Sequence, residues 1–461
     1  MAPKRMGLLR IRTEIFVGGE WVDISLHVLN RQALAISWGR RDYSSRVAHT
    51  KCSPQINNKG GLYSTRNPYS PYFGQLTQNT LVRQSLQLPD GTWEYLQHGE
   101  IPSWPKRWDL SGNDHYMPVQ TAGILRRLGT GTKALKDPLR RHIDAHSPLA
   151  YWPLTDGESA IQGTELLGAG SPLRSVGEAG SFFQGQPNWG KGQLAAWLDP
   201  VVELPHATNG YVTATISPRT ISSWSVDHVV NSYGAGNVTV LEVYDTGAQS
   251  ATEPRVQWQI DEWGPASFNE VQLRIVERLE SSSSAALLTT ISDPGIYDGF
   301  VHHLRLTVAD DGAGGVTWEL FIDGTSAASG TRALAFRPLE QALFRWALVE
   351  GGGIPATAVP FGHLTYWGQN PPAAIDTYRA ARGHARERAG RRIERLCAEQ
   401  RVPLQVIGDL DNTPAMGPQK PGKFLDLLET AAAVDGGIIH EARDDFALAY
   451  RTNRSRYNQG M

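Results

Sequence analysis

The stretch HLRLTVADDGAGGVTWELFIDG, residues 303–324, holds two period-two runs joined by a glycine-rich turn. Leu304, Leu306 and Val308 alternate with polar residues, as do Val316, Trp318, Leu320 and Ile322, so each run predicts a strand with one buried face. Asp310 to Gly315 supplies the turn, and Asp323-Gly324 begins the next. Working outward, Trp224–Val230, Val238–Tyr244, Val256–Ile260, Val271–Val276 and Leu287–Ile291 are further short apolar-alternating runs bounded by turn residues. Short strands at such spacing predict an antiparallel sandwich.

Four segments frame that region: Tyr151-Trp152-Pro153-Leu154, Asp298 to His303, Leu320 to Gly324, and Gly362 to Trp367. Together they resemble the laminin-G or concanavalin-like jelly roll, over residues 147–370. The resemblance implies a fold that binds glycans or proteins, or cleaves glycans. It also makes His303 a buried structural residue and leaves His302 exposed, and it allows calcium on the rim through Asp323 or Asp310; the residues themselves define no metal site. Glycan-cleaving relatives carry alternating acids on one strand, Glu-x-Asp-x-Glu, which this chain lacks. Asp261-Glu262, between Trp258 and Trp263, comes nearest, but neighbours on a strand face opposite ways. The expectation is therefore binding without catalysis and without a cofactor. Flat exposed aromatics would carry glycan binding, and Trp189, Trp224 and Trp263 are the ligand-binding candidates, with Trp197 in a similar loop-like context.

With 461 residues the chain exceeds one core, and 47 Gly, 28 Pro and 14 Trp point to many short strands and turns. The 44 basic and 46 acidic residues leave a charge of −2, so nothing global drives specific nucleic-acid binding. Cys52 and Cys397, the only cysteines, predict two buried free thiols. No run is apolar enough to span a bilayer, and MAPKRMGLLRIRTEIFV lacks the apolar centre of a signal peptide, so synthesis in a cytoplasm without membrane insertion is expected. Gly129-Thr-Gly-Thr-Lys133 lacks the preceding strand and the Gly-Lys-Ser/Thr ending of a phosphate loop, and Asp409-Leu-Asp411-Asn412 lacks the glycine and glutamate of a calcium loop.

Residues 1–112 read as a β-sandwich domain: Glu14–Val17 and Trp21–Leu26 form a hairpin about Gly18-Gly19, and Leu34–Trp38, Leu81–Leu88 and Trp93–Leu96 add strands. Between them lies INNKGGLYSTRNPYSPYFGQLTQNTL, residues 56–81, too rich in Asn, Gly, Pro and Ser for regular structure but with enough apolar surface to pack. From the Trp38-Gly39-Arg40 turn through Asn58, Gly61, Tyr63, Asn67-Pro68, Ser70-Pro71 and Gly74 to Asn79-Thr80, this region resembles the N-terminal domain of minor tail proteins of long-tailed actinobacterial phages, which are tail-tip or baseplate components.

Residues 113–146 read as a helical connector, with helices over Val119–Leu128 and Pro138–His146. Residues 371–461 read as an α/β segment: a long helix over Ala373–Arg401 with an arginine-rich face, a strand at Val402–Ile407, a helix over Pro421–Val434 stopped by Gly436-Gly437, and a hairpin of Ile438–Glu441 and Phe446–Arg451. This helix, stop and hairpin resemble the segment found in the same tail-tip proteins, where a further β domain follows; here the chain stops at Met461.

The fold expected is thus mainly β: a β-sandwich N-terminal domain, an inserted jelly roll and a small α/β C-terminal segment. The resemblance implies a structural component of a phage tail tip or baseplate, made in the host cytoplasm and located in the virion. It implies self-association into a trimeric hub or a hexameric distal ring, contact with other tail proteins, and a lectin-like domain offered to a host cell-surface glycan. Tyr63, Asn67, Tyr69, Tyr72, Phe73 and Asn79 are then the assembly-loop candidates. The alternatives are a glycan-cleaving enzyme using the jelly roll, and a bacterial adhesin or injection-system component.

Overall fold

A computed structural model describes residues 10–457 apart from 30, 32, 40–45, 132, 177–184, 234–236, 265–267 and 349–356. The charged turn expected at Arg40–Asp42 lies outside the described residues, as do both chain ends. The protein is mainly β, with antiparallel sheets and a few short helices. It divides into two units: residues 1–134, 387–416 and 422–461 form one, the body, and 135–386 with 417–421 form the other.

The body holds a seven-stranded sheet ordered Glu20–Asp23, Ile11–Val17, Thr80–Gln87, Trp93–Ile101, Thr121–Ala122, Ala48–Cys52, Ile36–Gly39. Val119 and Thr121 were expected in a helix, yet Thr121–Ala122 bridges Cys52-Lys51 and Glu100 as a strand. The helix is confined to Ile124–Gly129. Pairing on both sides outweighs the weak helical preference of β-branched residues there. A three-stranded sheet from the C-terminal segment places Leu404–Ile407 parallel to Leu448–Arg451, which pairs antiparallel with Ile438–Glu441.

Glu441 ties that C-terminal sheet to the N-terminal one. Its buried carboxylate accepts from the Thr50 N–H at 2.6 Å and the Leu125 N–H at 2.7 Å. Gly123 makes room for it, since a Cβ there would lie 1.9 Å from Glu441 Oε2.

The loop from Asn58 to Leu76 is packed. Successive backbone bonds join Gly61 to Asn58, Ser64 to Gly61, Asn67 to Ser64, Ser70 to Asn67 and Phe73 to Ser70, a ladder of turns three residues apart. Short polar side chains fasten each step: the Asn58 amide oxygen accepts from Tyr63 N–H at 2.8 Å, and the Asn67 amide donates to Gly61 O at 3.0 Å. Beneath the ladder Tyr63 is fully buried, stacked between Trp104 and Tyr72 with ring centroids 6.1 and 5.7 Å away.

The second unit is a jelly-roll sandwich of two eight-stranded sheets. The front sheet runs Gln162–Gly163, Leu173–Val176, Thr208–Thr215, Leu339–Leu348, Asn237–Asp245, Arg255–Trp263, Glu270–Arg278, Ser283–Ser292. The back sheet runs Asn188–Gly192, Val201–Leu204, Val359–Trp367, Ser223–Val230, His302–Asp310, Val316–Ile322, Thr325–Arg332, with Ala150–Trp152 also paired to Val359–Trp367. One apolar core fills the space between them, including Trp152, Trp224, Trp258, Leu304, Leu306 and Leu320. The alternation of residues 303–324 thus points its apolar set inward. Ala150 opposite Tyr366 brings the sandwich's first and last strands side by side.

Two helices, Pro138–Ala145 and Ala374–Ala381, cover the outer face of the back sheet through Leu139, Ile143, Tyr151, Val229, Trp367, Ala380 and Ala381. The single helix expected over Ala373–Arg401 is instead two, Ala374–Ala381 and Ala389–Glu399. Gly383, His384 and Arg386 between them take left-handed φ of 63°, 51° and 69°, which ends a right-handed helix. The expected arginine-rich face is internally paired: Arg392 and Arg395 hold Glu387 at 3.0 and 2.7 Å, and Arg391 holds Glu394 at 2.8 Å. Both cysteines are buried and free, and burial pushes their thiols up, Cys52 to about 11 and Cys397 to about 12.

Candidate functional site

Since helices cover the back sheet, the outer face of the front sheet is the sandwich's other broad surface. Strand alternation sends Leu241, Val243, Trp258, Ile260, Val271 and Leu273 into the core. Their neighbours therefore line the outside. Register groups these into rows: Tyr211, Arg345, Val240, Asp261 and Gln272 in one, and Thr213, Leu343, Glu242, Gln259 and Arg274 in the next. Beside the second row lie Gln341, Tyr244 and Gln257.

Local bonds hold this face in order. The Tyr244 hydroxyl donates to Glu242 at 2.6 Å, and the Arg255 guanidinium lies 4.8 Å from the Tyr244 ring centre. Arg345 reaches Glu242 at 3.4 Å and lies 5.5 Å from the Tyr211 ring centre. Arg274 pairs with Asp261 at 3.0 Å, and Arg278 donates to the Gln257 amide oxygen at 2.8 Å. Burial, opposed by Arg274 and reinforced by Glu242 and Glu262, lifts the Asp261 carboxyl to about 6. Glu242, Asp261 and Gln257 are buried beneath the longer side chains. The accessible layer is therefore one of half-buried aromatic rings, guanidinium planes and the amides of Gln259, Gln272 and Gln341, groups that suit the stacking and hydrogen bonding of a polyhydroxylated ligand.

The tryptophan candidates separate here. Trp224 is only 1% exposed, wedged edge-on against Trp258 with its indole N–H donating to Arg337 O at 3.2 Å. It has no free ring face to stack on a sugar. Trp189 is likewise a core residue. Those two expectations are corrected: the strand read at Trp224–Val230 turns Trp224 inward, and the glycine-rich sequence around Trp189 hides the strand that does the same. Trp263 is different: it lies on the outer face opposite Glu270, half-buried, with Phe268 edge-on at 5.4 Å. Trp197 is half-buried, its indole N–H donating to Ala381 O at 2.8 Å.

Asp261 and Glu262 do face opposite ways. Glu262 points into the sandwich, where the His228 ring lies at 2.7 Å and the Thr239 hydroxyl donates at 2.9 Å. His303 is buried as expected, but so is His302, which was expected outside. Its two ring nitrogens sit 2.8 Å from Asp298 and from Asp323, which draws it in and raises its pKa against the lowering effect of burial. Asp310 caps its own turn by accepting from Gly312 N–H at 2.9 Å. His303, Asp227, Arg305 and Trp367 meet instead beneath helix Ala374–Ala381. There Arg305 grips Asp227 through two nitrogens at 2.5 and 2.6 Å, and the Trp367 indole donates to Asp227 at 2.9 Å.

In the body, Tyr69 is 93% exposed and Phe73 about half exposed, whereas Tyr63 is buried and Tyr72 partly so. Asn67 and Asn79 are turn-forming residues, and Asn79 accepts from Arg126 at 2.7 Å. Among the loop candidates, Tyr69 and Phe73 carry the exposed apolar surface.

The sequence reading missed Tyr211, Glu242, Tyr244, Arg274 and Arg345. Each sits at the polar phase of an alternating strand, a visible signal, but only strand order and register place them together.

This is a mainly β protein with a jelly roll whose front face is polar and aromatic. No family model matches the chain, and no curated protein matches it. Among solved structures, the receptor-binding domain of botulinum neurotoxin type G aligns at 11% identity and TM-score 0.32, over 52% of this chain and 53% of that one. A structure titled "Cell entry of botulinum neurotoxin type C is dependent upon interaction with two ganglioside molecules" aligns at 11% and 0.32, over 53% and 54%. The receptor-binding domain of the C/D mosaic serotype aligns at 9% and 0.32, over 52% of each. The chain spans about half the length of each of these structures.

Proposed function

We propose that this is a structural attachment protein of a phage tail tip or baseplate, made in the host cytoplasm and carried in the virion. The body packs with copies of itself and with other tail proteins, and the jelly roll binds a host cell-surface glycan without cleaving it. The observation that carries the reading is the layout of the chain. The jelly roll is an insertion whose first and last strands pair, and the segments before and after it make one body through Glu441. An inserted domain with adjacent ends leaves its host fold intact. The front face supplies the glycan surface through Tyr211, Tyr244, Trp263 and Arg345, and the body supplies Tyr69 and Phe73 for assembly. Weak glycan contacts repeated around a ring would gain by effective concentration.

The test compares the full chain with one in which a short linker replaces residues 135–386, the jelly roll together with the two helices packed on it, by light scattering and by binding to host cell walls and a glycan panel. The deletion protein is expected to fold, keep a trimeric or hexameric mass and lose wall binding. A Tyr244→Ala, Arg345→Ala variant should keep the mass and bind at least about tenfold more weakly. A folded but monomeric deletion protein overturns the assembly role; wild-type binding by the double variant removes the glycan from this face; release of sugar from the panel makes it an enzyme.

A further inference from the structure

The end of each sheet is a row of backbone donors and acceptors that another chain can pair with, and proteins guard such edges with charge, proline, irregularity or shortness. Most edges here are guarded. In the body, Glu20–Asp23 is four residues long with an acid at each end, and Ile36–Gly39, Leu404–Ile407 and Ile438–Glu441 are equally short. At one side of the sandwich, Gln162–Gly163 has two residues, and Asn188–Gly192 carries Lys191 and an irregular register.

The other side lacks most of these guards. Ser283–Ser292, the last strand of the front sheet, runs ten residues as SSAALLTTIS, with no charge and no proline. Among the described residues its outward backbone makes no hydrogen bond. Leu287 stands 55% exposed in its middle. Its one irregularity falls opposite Leu273-Arg274, leaving Ser283–Leu287 and Thr289–Ser292 in regular register. Beside it the back sheet ends in Thr325–Arg332, equally small and neutral until Arg332, which Glu277 holds at 2.9 Å.

We propose that this edge joins the jelly rolls of two copies of the chain, Ser283–Ser292 pairing antiparallel with its own counterpart about a two-fold axis so that the front sheets become continuous. The occupant follows from the composition. A two-fold pair sets identical residues opposite one another near the axis, which a charged strand could not tolerate and this neutral one can. A foreign strand would draw its selectivity from complementary charges or side-chain pockets, and this edge of small neutral residues offers no charge. The pairing belongs to the jelly roll and stands independently of ring assembly by the body.

The experiment uses the full chain. Cysteine is placed singly at each position from Ser284 to Ile291 and mildly oxidised, the native thiols Cys52 and Cys397 being buried. A covalent dimer is expected at one or two neighbouring positions near the axis. In sedimentation, Leu287→Lys with Thr290→Lys should raise the dissociation constant of the paired species at least about tenfold, and Ala313→Lys with Thr317→Lys, an equal added charge at exposed positions away from this edge, should not. No covalent dimer at any position, or undiminished pairing by the double lysine variant, overturns the proposal. Failure of ring assembly shows separately, in the protein lacking residues 135–386.

Discussion

Asp261 lies on the front face with its carboxyl lifted to about 6 from an ordinary 3.8, chiefly by burial. An acid raised in the folded state destabilises that state once ionised. Below pH ~4 both folded and unfolded chains hold the proton and the residue is neutral to stability. Between pH ~4 and ~6 the unfolded chain releases it first, so stability falls as pH rises, by about 2–3 kcal/mol in full. Asp261→Asn is therefore expected to be no more stable than wild type at pH 4 and more stable by about 1–2 kcal/mol at pH 7.5, the loss of the Arg274 pair offsetting part of the gain. Urea midpoints at the two pH values check this, and an equal difference at both rejects it. The sequence reading saw that Asp261 and Glu262 part ways across the strand. It could not see Glu242 and Arg274 arriving beside Asp261, because neighbours across a sheet depend on register and not on spacing along the chain.

The turn ladder of residues 58–76 is an element without regular secondary structure, yet it contributes to the body's core through Tyr63. Tyr63→Ala should cost about 3–5 kcal/mol, since it empties the stack between Trp104 and Tyr72. Tyr69→Ala should change stability by less than about 0.5 kcal/mol. Chemical denaturation, with protease nicking between residues 58 and 79, distinguishes the two; similar losses in both variants would mean the loop is not organised around Tyr63. At this scale the sequence was generous with strands and poor with helix limits. Val316–Ile322 emerges with the bounds its alternation predicts, because period two has one structural solution on a half-buried sheet. The break after Ala381 was hidden, as nothing in the helical spacing of residues 373–401 marks His384 and Arg386 as left-handed. Trp189 was misplaced for a related reason, since a tryptophan flanked by turn residues has the same local sequence on either face, and Trp224 because a strand's alternation shows which residues share a face but not which face is covered.

In the whole molecule, the jelly roll carries its own core while the body depends on segments from both sides of the insertion. Glu441→Ala would leave the Thr50 and Leu125 N–H groups buried without an acceptor, a cost of about 3 kcal/mol. Scanning calorimetry is expected to show the body's transition lowered and that of the jelly roll unchanged; a shift in both would mean the units do not melt separately. The order of synthesis adds a consequence. At five to twenty residues per second, roughly 15 to 60 seconds pass between the ribosome's completing the first part of the body and its reaching Glu441. The jelly roll can be finished in that interval while its host fold waits half-made, so the body stays open until Glu441 has been added to the chain.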